Sequence, residues 1–225
     1  MLCKRVYKIK IFSTKRQVYI RNFFSWAFCF EKNAVVNWGK AFGIRPQRID
    51  SIFMKGGEPK MLIGIMSDTH DHLPLVDKAV KKFNEEKVEL VLHAGDYVAP
   101  FVVPHLKQLK AKFVGVFGNN DGDRELLKKR FSEFGLDIHG SFAEVKVDGL
   151  RIALMHGSEE ELLNSLISAE SHDVIVHGHS HEAKAYKRGK TLVINPGEVC
   201  GYLTEKPSIA ILNTKTLDVK TISLE

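Results

Sequence analysis

Residues 61–225 predict an α/β fold built on two facing sheets, each covered on its outer side by helices. Three observations carry that expectation. From Met61 onward, short apolar runs alternate with amphipathic segments, which is the pattern of strands and helices in turn. Their order is βαβαβα, followed by a strand-rich half with one more helix. Two facing sheets with helices outside would bury these runs.

Each element has its own warrant. Met61 to Met66 reads as a buried strand, and a helix follows Pro74 to about Glu86 with Leu75, Ala79, Val80 and Phe83 on one face. Val88 to Leu92 is the second strand. A short helix near Val102 to Leu109 leads to a third strand, Phe113 to Phe117. The next helix runs from about Asp123 to Phe134, with Asp123 as its N-cap. Phe142 to Val147 and Arg151 to Met155 form a hairpin through Asp148-Gly149, a dipeptide suited to two-residue turns. After a helix at Glu159 to Ala169 come strands Val174 to His177, Ala183 to Lys187, Thr191 to Ile194, Ile209 to Asn213 and Val219 to Ser223.

Residues 1–60 read differently. They are basic and aromatic, without helical period or strand alternation, and the domain is expected to begin at Met61. Tyr19, Arg21, Phe23, Phe24 and Trp26 would suit an interfacial anchor or targeting peptide. A plainer reading is that Lys55-Gly56-Gly57-Glu58 can be encoded by a purine-rich ribosome-binding site. Met61 would then be the initiator, and residues 1–60 would lie outside the native fold.

The formal charge of +6 says little about partners, because residues 1–60 hold 13 Lys/Arg and 3 Asp/Glu. That leaves 33 − 13 = 20 basic and 27 − 3 = 24 acidic residues, a net −4 on the rest. Nucleic acid is therefore unsupported as a partner. Cys3, Cys29 and Cys200 are too few and too scattered for a disulfide framework or a CxxC zinc motif, so a cytoplasmic location is expected. No apolar stretch reaches the roughly 18 residues of a membrane span.

The chemistry-bearing side chains sit just past the carboxyl ends of the expected strands, where open α/β sheets place their sites. Asp68 and His70 follow the first strand, Asp96 the second, Asn119 and Asp121 the third. His156 follows the hairpin, and His179 and His181 follow the strand ending at His177. Asp68 and His70, two apart in an extended segment, would point to one side. Gly178 would let the backbone turn tightly beside His179 and His181. Mixed nitrogen and oxygen donors suit Mn, Fe, Ni, Co or Zn rather than Mg or Ca. The cysteine positions argue against a thiolate site.

Taken singly, each residue has an ordinary explanation: Asp68 as a helix N-cap, His156 as a core histidine, Asn119 and Asp121 as turn formers. Jointly, seven ligand-type residues at the ends of five strands argue for a metal centre. His93 and His177 read as packing or supporting groups, His72 as a substrate contact or a solvated loop residue, and His105, His139 and His172 as surface residues.

The ordered set Asp68-Thr69-His70, Gly95-Asp96, Gly118-Asn119-Asn120-Asp121, His156-Gly157 and Gly178-His179-Ser180-His181 resembles the calcineurin-like metallophosphoesterases. With Asn195-Pro196-Gly197-Glu198, it is most similar to their small single-domain phosphodiesterase branch in archaea and bacteria. The resemblance implies a four-layer α/β/β/α sandwich of two mixed sheets. It also implies two divalent transition metal ions, Mn²⁺ first, with Ni²⁺, Fe²⁺, Co²⁺ or Zn²⁺ as alternatives. Asp68, His70 and His181 would hold one, Asn119, His156 and His179 the other, and Asp96 would bridge them. A hydroxide shared by the two ions would attack phosphorus in a small phosphodiester.

One position departs from the wider family, many of whose members carry His where this chain has Asn120. Asparagine is a poor general acid, so substrates with good leaving groups are expected, with Asp121 holding Asn120. The rival reading is a non-catalytic interaction scaffold, because the fold also resembles a eukaryotic trafficking-coat subunit with an eroded metal site. A homo-oligomer is a general prior for domains of this size.

Overall fold

The computed structural model describes residues 10–14, 17–22, 25–28 and 61–225. Residues 1–55 and 56–225 form two compact units. The first contains β1 (Lys10–Thr14), β2 (Gln17–Asn22) and β3 (Ser25–Phe28), an antiparallel sheet in that order. These strands stand where the sequence shows neither helical period nor strand alternation. Composition outweighs the missing alternation, since Ile11, Phe12, Val18, Tyr19, Ile20, Trp26 and Phe28 are residue types that favour strands. The stretch from Lys55 to Lys60 lies outside the described residues.

In the second unit the chain runs through β4 (Leu62–Met66), α1 (Leu73–Glu85) and β5 (Leu90–His93). A 3₁₀ turn (Pro100–Val102), α2 (Val103–Leu106), β6 (Lys112–Gly115), α3 (Arg124–Glu133) and β7 (Asp137–Ile138) follow. Next come β8 (Phe142–Val147), β9 (Leu150–Met155), α4 (Glu160–Ala169) and β10 (Val174–Val176). The last strands are β11 (Lys184–Arg188), β12 (Thr191–Asn195), β13 (Ser208–Asn213) and β14 (Val219–Ser223).

The strands divide into a six-stranded sheet, β14-β13-β4-β5-β6-β7, and a five-stranded sheet, β11-β12-β10-β9-β8. Both are mixed: β4 to β7 are parallel and β13 runs against β4, while β9, β10 and β12 are parallel between antiparallel β8 and β11. Alternation along each strand sorts its side chains between two cores. Ile63, Ile65, Leu90, Leu92, Ile152, Leu154, Val174, Val176, Leu192, Ile194, Ala210 and Leu212 fill the space between the sheets. Val91, Phe113, Ile209 and Ile211 face the other way, onto α1, α2 and α3 through Val76, Val80, Phe83, Leu106, Leu127 and Phe131. Ala153, Met155, Ile175 and Val193 meet Leu163 and Ile167 of α4. The result is the four-layer α/β/β/α sandwich.

Local chemistry explains the boundaries. Asp123 caps α3 by accepting a hydrogen bond from Leu126 N at 2.9 Å. Asp148 and Gly149 both have positive φ, +48° and +78°, as the primed hairpin turn between β8 and β9 requires. Three expectations need correction. The helix expected at Val102 to Leu109 is a 3₁₀ turn plus one α-helical turn, because Pro104 has no N–H to offer the Pro100 carbonyl and Val103 N takes it instead. The two-residue β7 went unread, being too short for a period. His172, expected at the surface, is buried under β8, with Nε2 3.2 Å from Glu144 and its ring edge-on to Phe142.

Candidate metal centre

The carboxyl ends of β4, β5, β6, β9 and β10 deliver their loops to one place. The loop after β4 is the middle piece. Asp68 N, His70 N and Asp71 N donate to the carbonyls of Gly95, Asp96 and Tyr97 at 3.0, 3.1 and 3.2 Å, tying it to the loop after β5. On its other side, Val199 N and Cys200 N donate to the carbonyls of Ser67 and Asp68, each at 3.0 Å. His179 N donates to Asp68 Oδ2 at 3.2 Å, drawing in the loop after β10.

This interlocking places non-glycine residues in the left-handed region: Asp68, His70, Asp71, Asp96, Val98, His179 and His181 have φ between +39° and +79°. Such conformations are sparsely populated and persist where the surroundings over-determine them, often at functional sites. The extended geometry expected for Asp68-Thr69-His70 is therefore corrected, although both side chains still reach one cluster. The role expected of Gly178 changes as well. A Cβ there would overlap Ser67 Oγ and stand 2.6 Å from Asp68 Oδ2, so the glycine serves close approach rather than a turn. Gly118 likewise leaves room for Asp96 Oδ1.

At the centre, His70 Nε2 lies 3.5 Å from Asp96 Oδ2 and 3.9 Å from Asp68 Oδ1. His156 Nε2 lies 3.3 Å from Asp96 Oδ2, and His181 Nε2 3.4 Å from Asp68 Oδ1. His179 is exposed, its ring edge-on to that of His156 with centroids 5.1 Å apart. Asn119 is exposed beside Asn120, and its side chain makes no hydrogen bond among the described residues.

Asn120 donates to Asp96 twice, from N to Oδ1 at 2.8 Å and from Nδ2 to Oδ2 at 2.7 Å. Asp121 does not hold Asn120, contrary to expectation. Its two oxygens accept from four backbone amides, those of Asp96, Tyr97, Val98 and Gly118, at 2.7–3.1 Å. Asp121 is thus a clamp joining the loops after β5 and β6. His156 Nδ1 is 2.8 Å from the carbonyl oxygen of Ala94, which leaves its Nε2 for the cluster. His93 is fully buried, stacked on Tyr97, and takes Gly95 N–H on Nδ1, a supporting role as expected. His72 packs edge-on against Tyr202.

Two residues went unrecognised in the sequence. Glu198 is wholly buried with Oε2 2.7 Å from His181 Nδ1, and only the Asn195-Pro196-Gly197-Glu198 stretch hinted at it. Cys200 has its Sγ within 4.8 Å of ligand atoms of His70 and His181, so a thiol does stand beside the cluster. Burial first, with Glu198 adding to it, pushes this thiol up to about 12, and it donates to Glu198 Oε2 at 3.1 Å.

The electrostatics suit a cation. Burial raises Asp68 above the usual carboxylate range. Asp96 is held below it, because its contacts with His156 and Asn120 outweigh the effect of burial. Burial lowers His93 to about 3. His156 is raised, its nearness to Asp96 and Asp68 overcoming burial. Asp68 Oδ1, His70 Nε2 and His156 Nε2 are buried without a hydrogen-bond partner, since their mutual contacts are long or poorly aligned. A buried polar atom left so costs about 1–3 kcal/mol, and divalent ions would satisfy all three. Ligand atoms gather most closely as Asp68, Asp96 and His156, and as His70, His181 and Cys200.

Residues 61–217 match the calcineurin-like phosphoesterase superfamily domain. Phosphodiesterase MJ0936 of Methanocaldococcus jannaschii is 43% identical over 166 residues, covering 73% of this chain and all of that protein. Phosphodiesterase YfcE of Escherichia coli K12 is 26% identical over 152 residues, 62% of this chain and 79% of its own length. Among solved structures, one described as a novel archaeal phosphodiesterase superposes with a TM-score of 0.70 at 42% identity, covering 72% of this chain and 99% of its own.

Proposed function

Because the chain belongs to the calcineurin-like phosphoesterase superfamily, we propose that it is a metal-dependent phosphodiesterase acting on small phosphodiesters. The observation that carries this reading is the set of buried, unpartnered ligand atoms of Asp68, His70 and His156 converging on Asp96 and His181. Asp68, His70 and His181 would hold one divalent ion and Asn119, His156 and His179 a second, with Asp96 between them. When bound, such a pair, Mn²⁺ first, supplies a hydroxide nucleophile near neutral pH and positive charge for the attacked phosphoryl group.

The protein's own groups set the rest. Asn120 keeps Asp96 ionised and oriented through two hydrogen bonds. Asn119, Asn120 and His179 are the exposed members of the cluster, so the phosphate approaches from their side. Asn120 offers an amide donor there but no acidic proton, so the leaving group departs as its own anion and weakly basic ones are favoured. Among the described residues no helix is long and apolar enough to cross a membrane. The cytoplasmic setting rests on cysteine usage, and self-association on domain size.

The test is hydrolysis of an aryl phosphodiester beside its monoester by metal-stripped chain, with Mn²⁺, Ni²⁺, Zn²⁺ or Mg²⁺ restored in turn. Diesterase activity should return with Mn²⁺, exceed monoesterase activity, and vanish in Asp96→Ala. Inactivity with every metal would favour a binding surface of the same fold instead.

A further inference from the structure

We propose that Glu198 is the positioning residue of the metal centre, the fixed acceptor that holds His181 Nδ1–H and so aims Nε2 at the ion. This rests on the metal-centre reading above. Glu198 leaves the end of β12 through the Asn195-Pro196-Gly197 turn and has no exposed surface. Its Oε2 lies 2.7 Å from His181 Nδ1, while His181 Nε2 faces Asp68 Oδ1 at 3.4 Å. A neutral imidazole carries its proton on either nitrogen, and the partner of one nitrogen decides which remains free to bind metal.

Glu198 can impose that choice because both of its oxygens are held by hydrogen bonds. Thr204 N and Thr204 Oγ1 each donate to Oε1 at 2.6 Å, and Leu203 N spans both oxygens at 3.1 and 3.2 Å. Cys200 Sγ donates to Oε2, which places the thiol as a buttress of the carboxylate. The following residues, Val199 and Cys200, are pinned by their amides to the carbonyls of Ser67 and Asp68. Glu198 is therefore held in register with the loop that carries Asp68 and His70. From the other direction, Asn195 Nδ2 donates to Gly178 O and Ser180 Oγ at 2.9 Å, fixing the loop that carries His181.

The two sides of the centre are built differently. His156 is oriented by a neutral acceptor, the Ala94 carbonyl, whereas His181 is oriented by a buried carboxylate that places negative charge behind the imidazole. Loss of Glu198 should weaken the ion on the His181 side and spare the ion on the His156 side.

The experiment is Co²⁺ titration of the metal-stripped full chain, read by calorimetry and visible absorption, for wild type, Glu198→Gln and Thr204→Val. Glu198→Gln should raise the Kd of one Co²⁺ about 10- to 100-fold and change its absorption, leaving the other Kd in place. Thr204→Val removes one of the donors that hold the same carboxylate without touching His181, and should weaken the same Co²⁺ by less than Glu198→Gln while leaving the other Kd in place. Wild-type affinity and spectrum in Glu198→Gln would overturn the proposal alone. A wild-type chain that takes up no Co²⁺ would overturn the metal-centre reading and this proposal with it. Should Glu198→Gln fail to fold, imidazole ¹⁵N spectra of the Zn²⁺-loaded wild type decide: Nε2 ligation with Nδ1 protonated is expected for His181, and Nδ1 ligation refutes it.

Discussion

Asn120 gives its backbone N–H and one side-chain N–H to Asp96, which leaves its second amide hydrogen at the open side of the cluster. A histidine there would keep the backbone bond to Asp96 Oδ1 and bring a group able to donate a proton near neutral pH. Asn120→His should therefore raise hydrolysis of alkyl esters relative to aryl esters, by about 100-fold if general acid catalysis is gained in full. An unchanged ratio of the two kcat/KM values would refute the leaving-group argument. The meeting of Asp68, His70, Asp96, His156 and His181 was legible in the sequence because few residue types offer metal-binding atoms. Their backbone conformations were not: Asp68 and His70 are left-handed because the loops after β5 and β12 hold them from both sides. Asp121 shows the same limit, since its four amide partners come from two loops, and three of them lie on the loop after β5.

At the scale of elements, the β8–β9 hairpin carries a charge cluster far from the candidate centre in its chemistry. Glu144 meets Arg151 Nη2 at 2.8 Å, Lys146 Nζ at 3.0 Å and His172 Nε2 at 3.2 Å. Arg151 first, then Lys146, lowers its carboxyl from 4.5 to about 2. A carboxylate whose folded value lies below its unfolded one stabilises the fold above the unfolded value, and that gain is lost as pH falls through the folded value. Thermal melts of wild type should thus fall more steeply than those of Glu144→Gln between pH 4.5 and 2, with the difference shrinking in high salt. Parallel curves would show that the pairs contribute nothing, as exposed pairs often do. The hairpin itself was readable from Asp148-Gly149, whereas burial of His172 was not, because Glu144 and Phe142 reach it from 28 and 30 positions away.

For the whole molecule, all three apolar cores draw on residues 61–225 among the described residues. We therefore expect residues 61–225 alone to melt at the temperature of the full chain's main transition and to retain its metal-dependent activity. A fragment that is unfolded or inactive would mean that residues 1–60 belong to the working fold. Detection of a tryptic peptide from residues 1–54 in native protein would refute initiation at Met61. Element types, the two-sheet architecture and the ligand-type residues follow from patterns that act within a few residues: alternation, turn chemistry and the placing of polar side chains after apolar strands. Other features came only with the folded chain. The six-and-five division of strands, the Asp121 clamp, the approach of Cys200 to His70 and the hold of Glu198 on His181 join positions up to 200 − 70 = 130 apart at the centre and 153 apart across the domain. No local rule encodes such meetings, because they depend on how sheets and loops pack against one another once the cores have closed.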